Sequence, residues 1–124
     1  MRDTRKLKSF VMLAFNSGDQ AGDCQQLEDA GLKFRSGRGS YKGVNNPSYL
    51  VVFNTRKQFD KILKLALKAN QESILVVNEN RECSLRYLAD DYTQELGQWT
   101  EVPRHKAKAS VGYSEIDGRY FIAS

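Results

Sequence analysis

The carboxylates are the side chains of this sequence that could do chemistry on a small ligand. Glu72 lies between the amide of Gln71 and the hydroxyl of Ser73, directly before an apolar run, so both neighbours can orient it. There it either caps a local turn or faces a pocket at the edge of a sheet. Glu101, two residues before Pro103, is either an exposed acid of an edge strand or a second carboxylate of that pocket. Such a carboxylate can bind a cation or, with a raised pKa, act as a general base.

Other chemistry-bearing residue types are few. Glu79 and Glu82 have the setting of ordinary turn acids, and the sequence leaves open which of the four glutamates faces a pocket. His105 is the single histidine and lies in a basic stretch, residues 104–108, that is expected to be loose, so no Ser/His/Asp set is credible. Cys24 and Cys83 are isolated and are expected to be free thiols of the core. Neither a metal site nor a cofactor is predicted.

Residues 36–47 contain three glycines, two asparagines and a proline, and are predicted to form a long loop. The spacing of Gly37, Gly39 and Gly43 lacks the closing Gly-Lys-Ser/Thr of a Walker A motif. A phosphate cradle is therefore weakly supported. The alternatives are a flexible connection and a loop that covers a ligand with the ring of Tyr41.

The positive charge is concentrated in one segment. The chain has 19 Lys and Arg against 15 Asp and Glu. Residues 55–70 hold five cations and one acid, so this segment carries the whole net charge of +4. A basic helix face can bind nucleic acid, but it is more often simply solvated. Because no aromatic-rich RNA-binding pattern is present, nucleic acid is an unlikely partner.

Composition excludes several protein classes. With 124 residues, 40% hydrophobic and 27% charged, the chain is predicted to be one globular domain over residues 1–124. No apolar run approaches the roughly 20 residues of a membrane span. The charged N-terminus lacks the apolar region of a signal peptide. We therefore predict a cytoplasmic protein with no membrane partner.

The elements that would position these residues follow from periodicity. The apolar run 8–16 predicts a strand buried on both faces. Asp19 caps a helix that runs to about residue 30, and a short strand is predicted at 32–35. Strand 49–53 precedes helix 55–70, whose Thr55 and Gln58 form a capping box. Paired strands are predicted at 74–77 and 83–88, an irregular segment at 89–97, an edge strand at 99–102, and a hairpin of 113–116 and 119–122 around Asp117-Gly118.

The order of these elements is β-α-β, loop, β-α-β, hairpin. It predicts an α+β sandwich with a ferredoxin-like split βαβ sheet, helices on one face and a C-terminal hairpin. The open face of such a sheet has to be covered or solvated, and in small proteins of this shape subunit pairing often covers it.

Several short motifs together resemble the phage-encoded enzymes that degrade S-adenosylmethionine (SAM), described as SAM hydrolases or SAM lyases. In order and spacing these motifs cover most of residues 39–122, and the first strand with its Asn16-Ser17 also fits, but generically. The motifs are GSYK at 39–42, QESILVV at 71–77, Leu85-x-Tyr87, Gln98-x-x-Glu101-Val102-Pro103 and IDGR at 116–119.

The resemblance implies a PII-like subunit that forms a homotrimer with active sites between subunits. It also implies cleavage of SAM to 5′-methylthioadenosine and a homoserine product in the host cytoplasm, which starves SAM-dependent restriction. Glu72 would bind the SAM ammonium, and Tyr41 would cover the ligand or contact the sulfonium through its ring. The remaining residues of the expected site, which would bind the substrate, are Phe15, Asn16, Ser17, Ser73, Ile74, Val76 and Glu101.

Two mechanisms fit this substrate. In the lyase mechanism, which we favour, the SAM carboxylate attacks its own γ-carbon and gives homoserine lactone without a general base. In the hydrolase mechanism Glu72 would activate a water. The alternatives from other functional classes are a PII-like regulator that binds an adenosyl ligand without turnover and a nucleic-acid-binding anti-restriction protein.

Overall fold

The computed structural model describes residues 9–15, 17–41 and 43–124, with Tyr41 described by its backbone alone. None of the helices in these ranges is long and apolar enough to cross a membrane. The helices and strands, in chain order, are β1 (Ser9–Leu13), α1 (Gln20–Asp29), β2 (Lys33–Tyr41), β3 (Val44–Phe53), α2 (Arg56–Lys68), β4 (Ser73–Val77), β5 (Glu82–Tyr87), β6 (Tyr92–Val102), α3 (Arg104–Ala109), β7 (Gly112–Ile116) and β8 (Arg119–Ala123).

The strands close into an antiparallel barrel in the order β1-β3-β2-β7-β8-β6-β5-β4. The predicted ferredoxin-like, PII-like α+β sandwich is therefore wrong. A sandwich sheet keeps two edges, whereas here β2 pairs with β7 and β4 pairs with β5. Strands β6 and β8 complete the circle between them. Closure pairs the backbone groups that two open edges would leave exposed.

The barrel closes partly because residues 36–41 and 44–47, predicted to be part of a loop, lie in the paired strands β2 and β3. Their glycines allow neighbouring chains to approach closely. A Cβ at Gly37 would collide with the backbone carbonyl of Glu115, and one at Gly39 would lie 2.8 Å from Ser48 Oγ. Glycine here marks close packing between strands and not a flexible connection.

Three shorter predictions are also wrong. Residues 89–97 are not irregular, because β6 begins at Tyr92. Residues 99–102 end before Pro103 as predicted but do not form an edge, since they pair with β8. Residues 104–108, expected to be loose, begin α3. A polar strand or a single-turn helix has no apolar periodicity, so these elements leave little signal in the sequence.

Two apolar layers lie on opposite faces of β1. Phe10 and Met12 point into the barrel, while Val11 and Leu13 pack under the helices. The prediction of a first strand buried on both faces is confirmed. Helices α1 and α2 cover the outer face of β1, β3 and β4, which we call the helix-covered face. Its buried layer also includes Phe15, Leu27, Tyr49, Val51, Phe59, Ile62 and Ile74.

Local signals at the helix ends are confirmed. The Asp19 side chain accepts a hydrogen bond from the Gly22 N–H at 3.0 Å, and α1 is followed by Gly31 at φ +71°. Thr55 and Gln58 form the predicted capping box at the start of α2. The final hairpin is confirmed as well, because Asp117 and Gly118 both have positive φ, as a type I′ turn requires.

Candidate functional site

Several predicted site residues meet at the end of the barrel where β1 stops and β4 starts. The two strands pair antiparallel, with Met12 opposite Leu75. The end of β1 and the start of β4 therefore lie side by side. Phe15, just after β1, and Ile74 of β4 both belong to the buried layer of the helix-covered face. Ser17 follows at the same end and is exposed.

Glu72 lies at the rim of this end. It directly precedes β4, its side chain is exposed, and its carbonyl accepts a hydrogen bond from the Leu88 N–H at 3.0 Å. Leu88 packs against the layer of the helix-covered face, as does Val76. Ser73 begins β4 opposite Tyr87 of β5. The Glu72 carboxylate is therefore open to a solute at the edge of an apolar layer.

A polar network that the sequence analysis did not anticipate fixes this end of the barrel. Asp23 of α1 is 4% exposed. Ser17 Oγ donates a hydrogen bond to Asp23 Oδ1 at 2.8 Å, and the Tyr49 hydroxyl donates one to Asp23 Oδ2 at 3.1 Å. The Tyr49 ring meets the Phe15 ring edge-on, with centroids 5.8 Å apart. Both carboxylate oxygens are thus paired, as a buried charge requires.

The surroundings of Tyr49 keep its phenol protonated. Burial raises its pKa above the ordinary value of 10, and the Asp23 carboxylate raises it further because a phenolate beside it would be repelled. Near neutral pH Tyr49 is therefore a fixed hydrogen-bond donor. It is neither a base nor a nucleophile.

The structure separates Glu101 from Glu72. At the start of β4, Ser73 lies opposite Tyr87, which lies opposite Tyr92 at the start of β6. Glu101 is further along β6, about 30 Å of extended strand beyond Tyr92. Its Oε2 lies 3.4 Å from Arg119 Nε. Within one copy of the chain the two glutamates do not share a site.

Two predicted residues fall where the structure gives no side chain. Asn16 lies outside the described residues. Tyr41 is described by its backbone, which lies in β2 opposite Val44 of β3 and Gly112 of β7. The predicted contact of the Tyr41 ring with a ligand therefore stays a prediction.

Two grooves on the described surface adjoin at Val76, which is the single predicted site residue that lines either of them. Glu72 and Glu101 line neither groove, whereas Glu82 and Glu79, the open alternatives of the sequence analysis, each line one. The larger groove, about 480 Å³, is lined by Val76, Asn78, Glu82, Ser84, Glu95, Gly97 and Gln98. The smaller groove, about 400 Å³, is lined by Ser9, Phe53, Asn54, Thr55, Arg56, Phe59, Val76 and Glu79.

The sequence analysis missed Asp23, Tyr49 and Glu95, and a recognisable sequence signal existed for Asp23 alone. Asp23, Leu27 and Ala30 recur at helical spacing, so Asp23 occupies a position of the apolar stripe of α1 and should face the core. A charged residue at such a position predicts a buried partner. Tyr49 gave no such signal, since a tyrosine at the start of a strand is common. Glu95 lies in the segment predicted to be irregular.

The basic face of α2 is partly engaged within the protein. Lys61 Nζ donates a hydrogen bond to the carbonyl of Ala30 at the end of α1, at 2.9 Å. Arg56 forms an ion pair with Asp60 at 3.2 Å. Among the described residues, no group of three or more His, Cys, Asp and Glu side chains could hold a metal ion.

The comparisons with known proteins point to one family. A protein-family model described as the S-Adenosylmethionine lyase family matches residues 9–124. The matched stretch contains every residue of the predicted site, those after β1 and on β4 included. The comparison with curated proteins gives no match.

Proposed function

The chain belongs to the S-adenosylmethionine lyase family and is an enzyme that cleaves SAM; from this premise we propose that its products are 5′-methylthioadenosine and homoserine lactone. The SAM carboxylate attacks the γ-carbon of its own side chain. A C–O bond forms as the C–S bond breaks, and the bonding pair moves to the sulfonium sulfur. The atoms balance without water, and no proton is transferred.

This reaction needs no general acid or base, and its rate depends mainly on the shape of the pocket. A negative and a positive charge neutralise each other in the transition state, so a pocket that excludes water and holds the folded conformer accelerates the step. The absence of a credible Ser/His/Asp set in the sequence is compatible with this chemistry. The hydrolytic alternative needs a base beside a bound water.

In the proposed site Glu72 binds the substrate ammonium and the Tyr41 ring covers the sulfonium, a cation–π contact of about 0.5–2 kcal/mol. The adenosine lies against the segment after β1, with Phe15, Asn16 and Ser17, and against the start of β4, from Ser73 to Val76. The observation that carries this assignment is the pairing of β1 with β4, which places the two segments side by side.

Glu101 enters this site through a second copy of the chain. Because it is about 30 Å of strand away from the Glu72 end of its own barrel, a neighbouring subunit would have to supply it. This need supports sites between subunits, and for the number of subunits we propose the homotrimer that the resemblance implies. Light scattering tests the mass. Mixing Glu72→Gln and Glu101→Gln chains, each expected to bind SAM weakly alone, tests the sharing, since mixed trimers would regain some intact sites and a lower KM.

The proposed role in the cell is removal of SAM from the host cytoplasm, so that SAM-dependent restriction lacks its cofactor. A strain that carries such a restriction system tests this role. Expression of the wild-type chain should lower intracellular SAM and raise the survival of unmodified DNA. A catalytically inactive variant should do neither.

The products are tested by incubating the protein with SAM in ¹⁸O-labelled water and separating the products at early times. The lyase reaction gives unlabelled homoserine lactone together with methylthioadenosine. Homoserine formed later from that lactone carries the label in its carboxylate. Direct hydrolysis would instead place ¹⁸O in the γ-hydroxyl from the first time point, and that result would exclude the lyase.

The assignment of Glu72 is tested by Glu72→Gln, which we expect to raise KM for SAM because the ammonium loses its counter-charge. Glu28→Gln is the matched control, since Glu28 is an exposed acid of α1. Glu82→Gln and Glu95→Gln examine the larger groove in the same assay. If these two variants raise KM and Glu72→Gln does not, the ammonium binds in that groove.

A further inference from the structure

Asp23 is an unusual residue for its position. It lies in the first turn of α1, where a carboxylate normally faces solvent near the helix N-terminus. Here it is 4% exposed and shares the core with Leu27. The helix does not need it as a cap, because the Asp19 side chain already accepts the hydrogen bond from Gly22.

An apolar side chain would fill the same place without the desolvation that a buried carboxylate suffers. Replacement of a buried charged network by apolar residues is often neutral or stabilising. The Asp23 network is therefore not explained by stability alone. What distinguishes it from an apolar contact is direction, because its two oxygens hold two particular groups at fixed distances.

One of these groups is the Ser17 hydroxyl, in the connection between β1 and α1. The other is the Tyr49 hydroxyl, on strand β3 of the barrel wall. Ser17 Oγ donates to Asp23 and also accepts a hydrogen bond from the Asp19 N–H at 3.0 Å. Tyr49 of β3 holds Asp23 through its hydroxyl, and its ring contacts Phe15. Tyr49 thus holds two residues of the connection. It holds Ser17 through Asp23, and it holds Phe15 directly through ring contact.

We infer that Asp23 is a positioning residue for SAM cleavage, which with Tyr49 holds Phe15 and Ser17 in the arrangement that binds the adenosine half of SAM. The inference rests on the proposed function, which places adenosine beside Phe15 and Ser17. Neither Asp23 nor Tyr49 touches the substrate, since both are buried. Their effect falls on substrate binding and not on the bond-breaking step.

Tyr49→Phe is the first test, because it keeps the ring against Phe15 and removes the hydroxyl that holds Asp23. We expect KM for SAM and the Kd for 5′-methylthioadenosine, measured by calorimetry, to rise about tenfold together, while kcat stays within about twofold. Tyr113→Phe is the matched control. It removes a phenol hydroxyl that is hydrogen-bonded to Lys108, on a strand that pairs with neither β1 nor β4, and should leave the Kd for 5′-methylthioadenosine unchanged.

The double variant Asp23→Leu with Tyr49→Phe separates positioning from stability. It removes both polar partners, so we expect it to be about as stable as the wild type by urea unfolding, yet to keep the raised KM and Kd. If folded Tyr49→Phe binds methylthioadenosine like the wild type, the inference is overturned. It is equally overturned if the double variant recovers affinity together with stability, since the network would then be merely structural.

Amide exchange of the wild type separates this inference from the proposed function. Methylthioadenosine should protect residues 14–19 from exchange. Protection confined to other segments would refute the placement of adenosine, and the inference with it. If placement holds but the products are those of direct hydrolysis, the proposed chemistry fails, and the affinities of the variants still decide the role of Asp23.

Discussion

Tyr49 and Tyr113 carry the same phenol on two different faces of the barrel, and their surroundings act on it in opposite directions. Tyr49, on the helix-covered face, is 1% exposed and donates to Asp23. Burial and the carboxylate raise its pKa. Tyr113 lies on β7, where Lys108 Nζ donates to its hydroxyl at 2.8 Å. That hydrogen bond lowers the pKa of Tyr113 below the ordinary value of 10.

The difference follows from what covers each face. Helices of 10 and 13 residues pack on the helix-covered face. The outer face of β7 and β8, which we call the α3 face, meets a helix of six residues. Asp23 and Tyr49, under the long helices, are buried and hydrogen-bonded to each other, so they fix the local geometry. Tyr113, on the α3 face, is half-buried and stays in contact with water.

The largest expected contrast is between two isoleucines. Ile62 of α2 is fully buried in the helix-covered layer, whereas Ile122 of β8 is half-buried. Ile62→Ala should lower the free energy of unfolding by about 2–5 kcal/mol, because it leaves a cavity in a packed layer. Ile122→Ala should cost less than half as much. Urea unfolding of both variants measures the contrast, and equal losses would mean that the two faces are equally packed.

The two tyrosines give the next contrast. Tyr49→Phe leaves one oxygen of the buried Asp23 carboxylate without its partner, which should cost about 1–3 kcal/mol of unfolding free energy. Tyr113→Phe should leave the unfolding midpoint unchanged, because its hydroxyl can be replaced by water around Lys108. A larger loss in Tyr113→Phe than in Tyr49→Phe would reverse the comparison.

The helix-covered face is also the part of the fold that local sequence predicts best. The cap at Asp19, the capping box at Thr55 and the continuous apolar run of the first strand each depend on residues a few positions apart. The two-residue turn at Asp117 and Gly118 is local in the same sense. These elements were predicted in type and approximate position for that reason.

Barrel closure was not predictable in this way. It depends on β2 meeting β7 and on β6 meeting β8, pairings between strands far apart in the chain. The signal for β2 was hidden further, because Gly37 and Gly39 were interpreted as loop residues. Glycine is needed at these two positions because Glu115 and Ser48 leave no room for a side chain. This crowding can be recognised only once the pairing of the strands is known.

The candidate site shows the same division. Phe15 and Ile74 were predicted to lie together, and the pairing of β1 with β4 brings them to one end of the barrel. Asp23 was missed, although its place in the apolar stripe of α1 was visible in the sequence. Its partners could not be predicted, since Tyr49 contacts it from a strand 26 residues away.

A lysine pair gives a smaller contrast. Lys61 joins the two long helices through the carbonyl of Ala30, so Lys61→Met should cost about 0.5–1.5 kcal/mol of unfolding free energy. Lys108→Met should leave stability unchanged but return the pKa of Tyr113 towards its ordinary value. Thermal unfolding and ultraviolet titration of tyrosine check the two effects. An unaltered Tyr113 titration would show that Lys108 does not control it.

The last contrast is the dependence of stability on alkaline pH, which develops only above or just below pH 10. The unfolded chain releases the Tyr49 proton near pH 10, whereas the folded protein holds it to higher pH. The stabilisation from Tyr49 is therefore complete below pH 10 and is lost as the pH rises above it, by at most about 1.4 kcal/mol per pH unit. The contribution of Tyr113 to stability changes with pH in the opposite direction, because the folded protein releases the Tyr113 proton at a lower pH than the unfolded chain.

Urea unfolding between pH 8 and pH 11 measures both contributions. The difference in unfolding free energy between wild type and Tyr49→Phe should become smaller above pH 10. The difference between wild type and Tyr113→Phe should instead shift in favour of the wild type as the pH approaches 10 from below. If both differences moved in the same direction, the two tyrosines would not have opposite partners in solution, and the contrast between the two faces would fail at its most specific point.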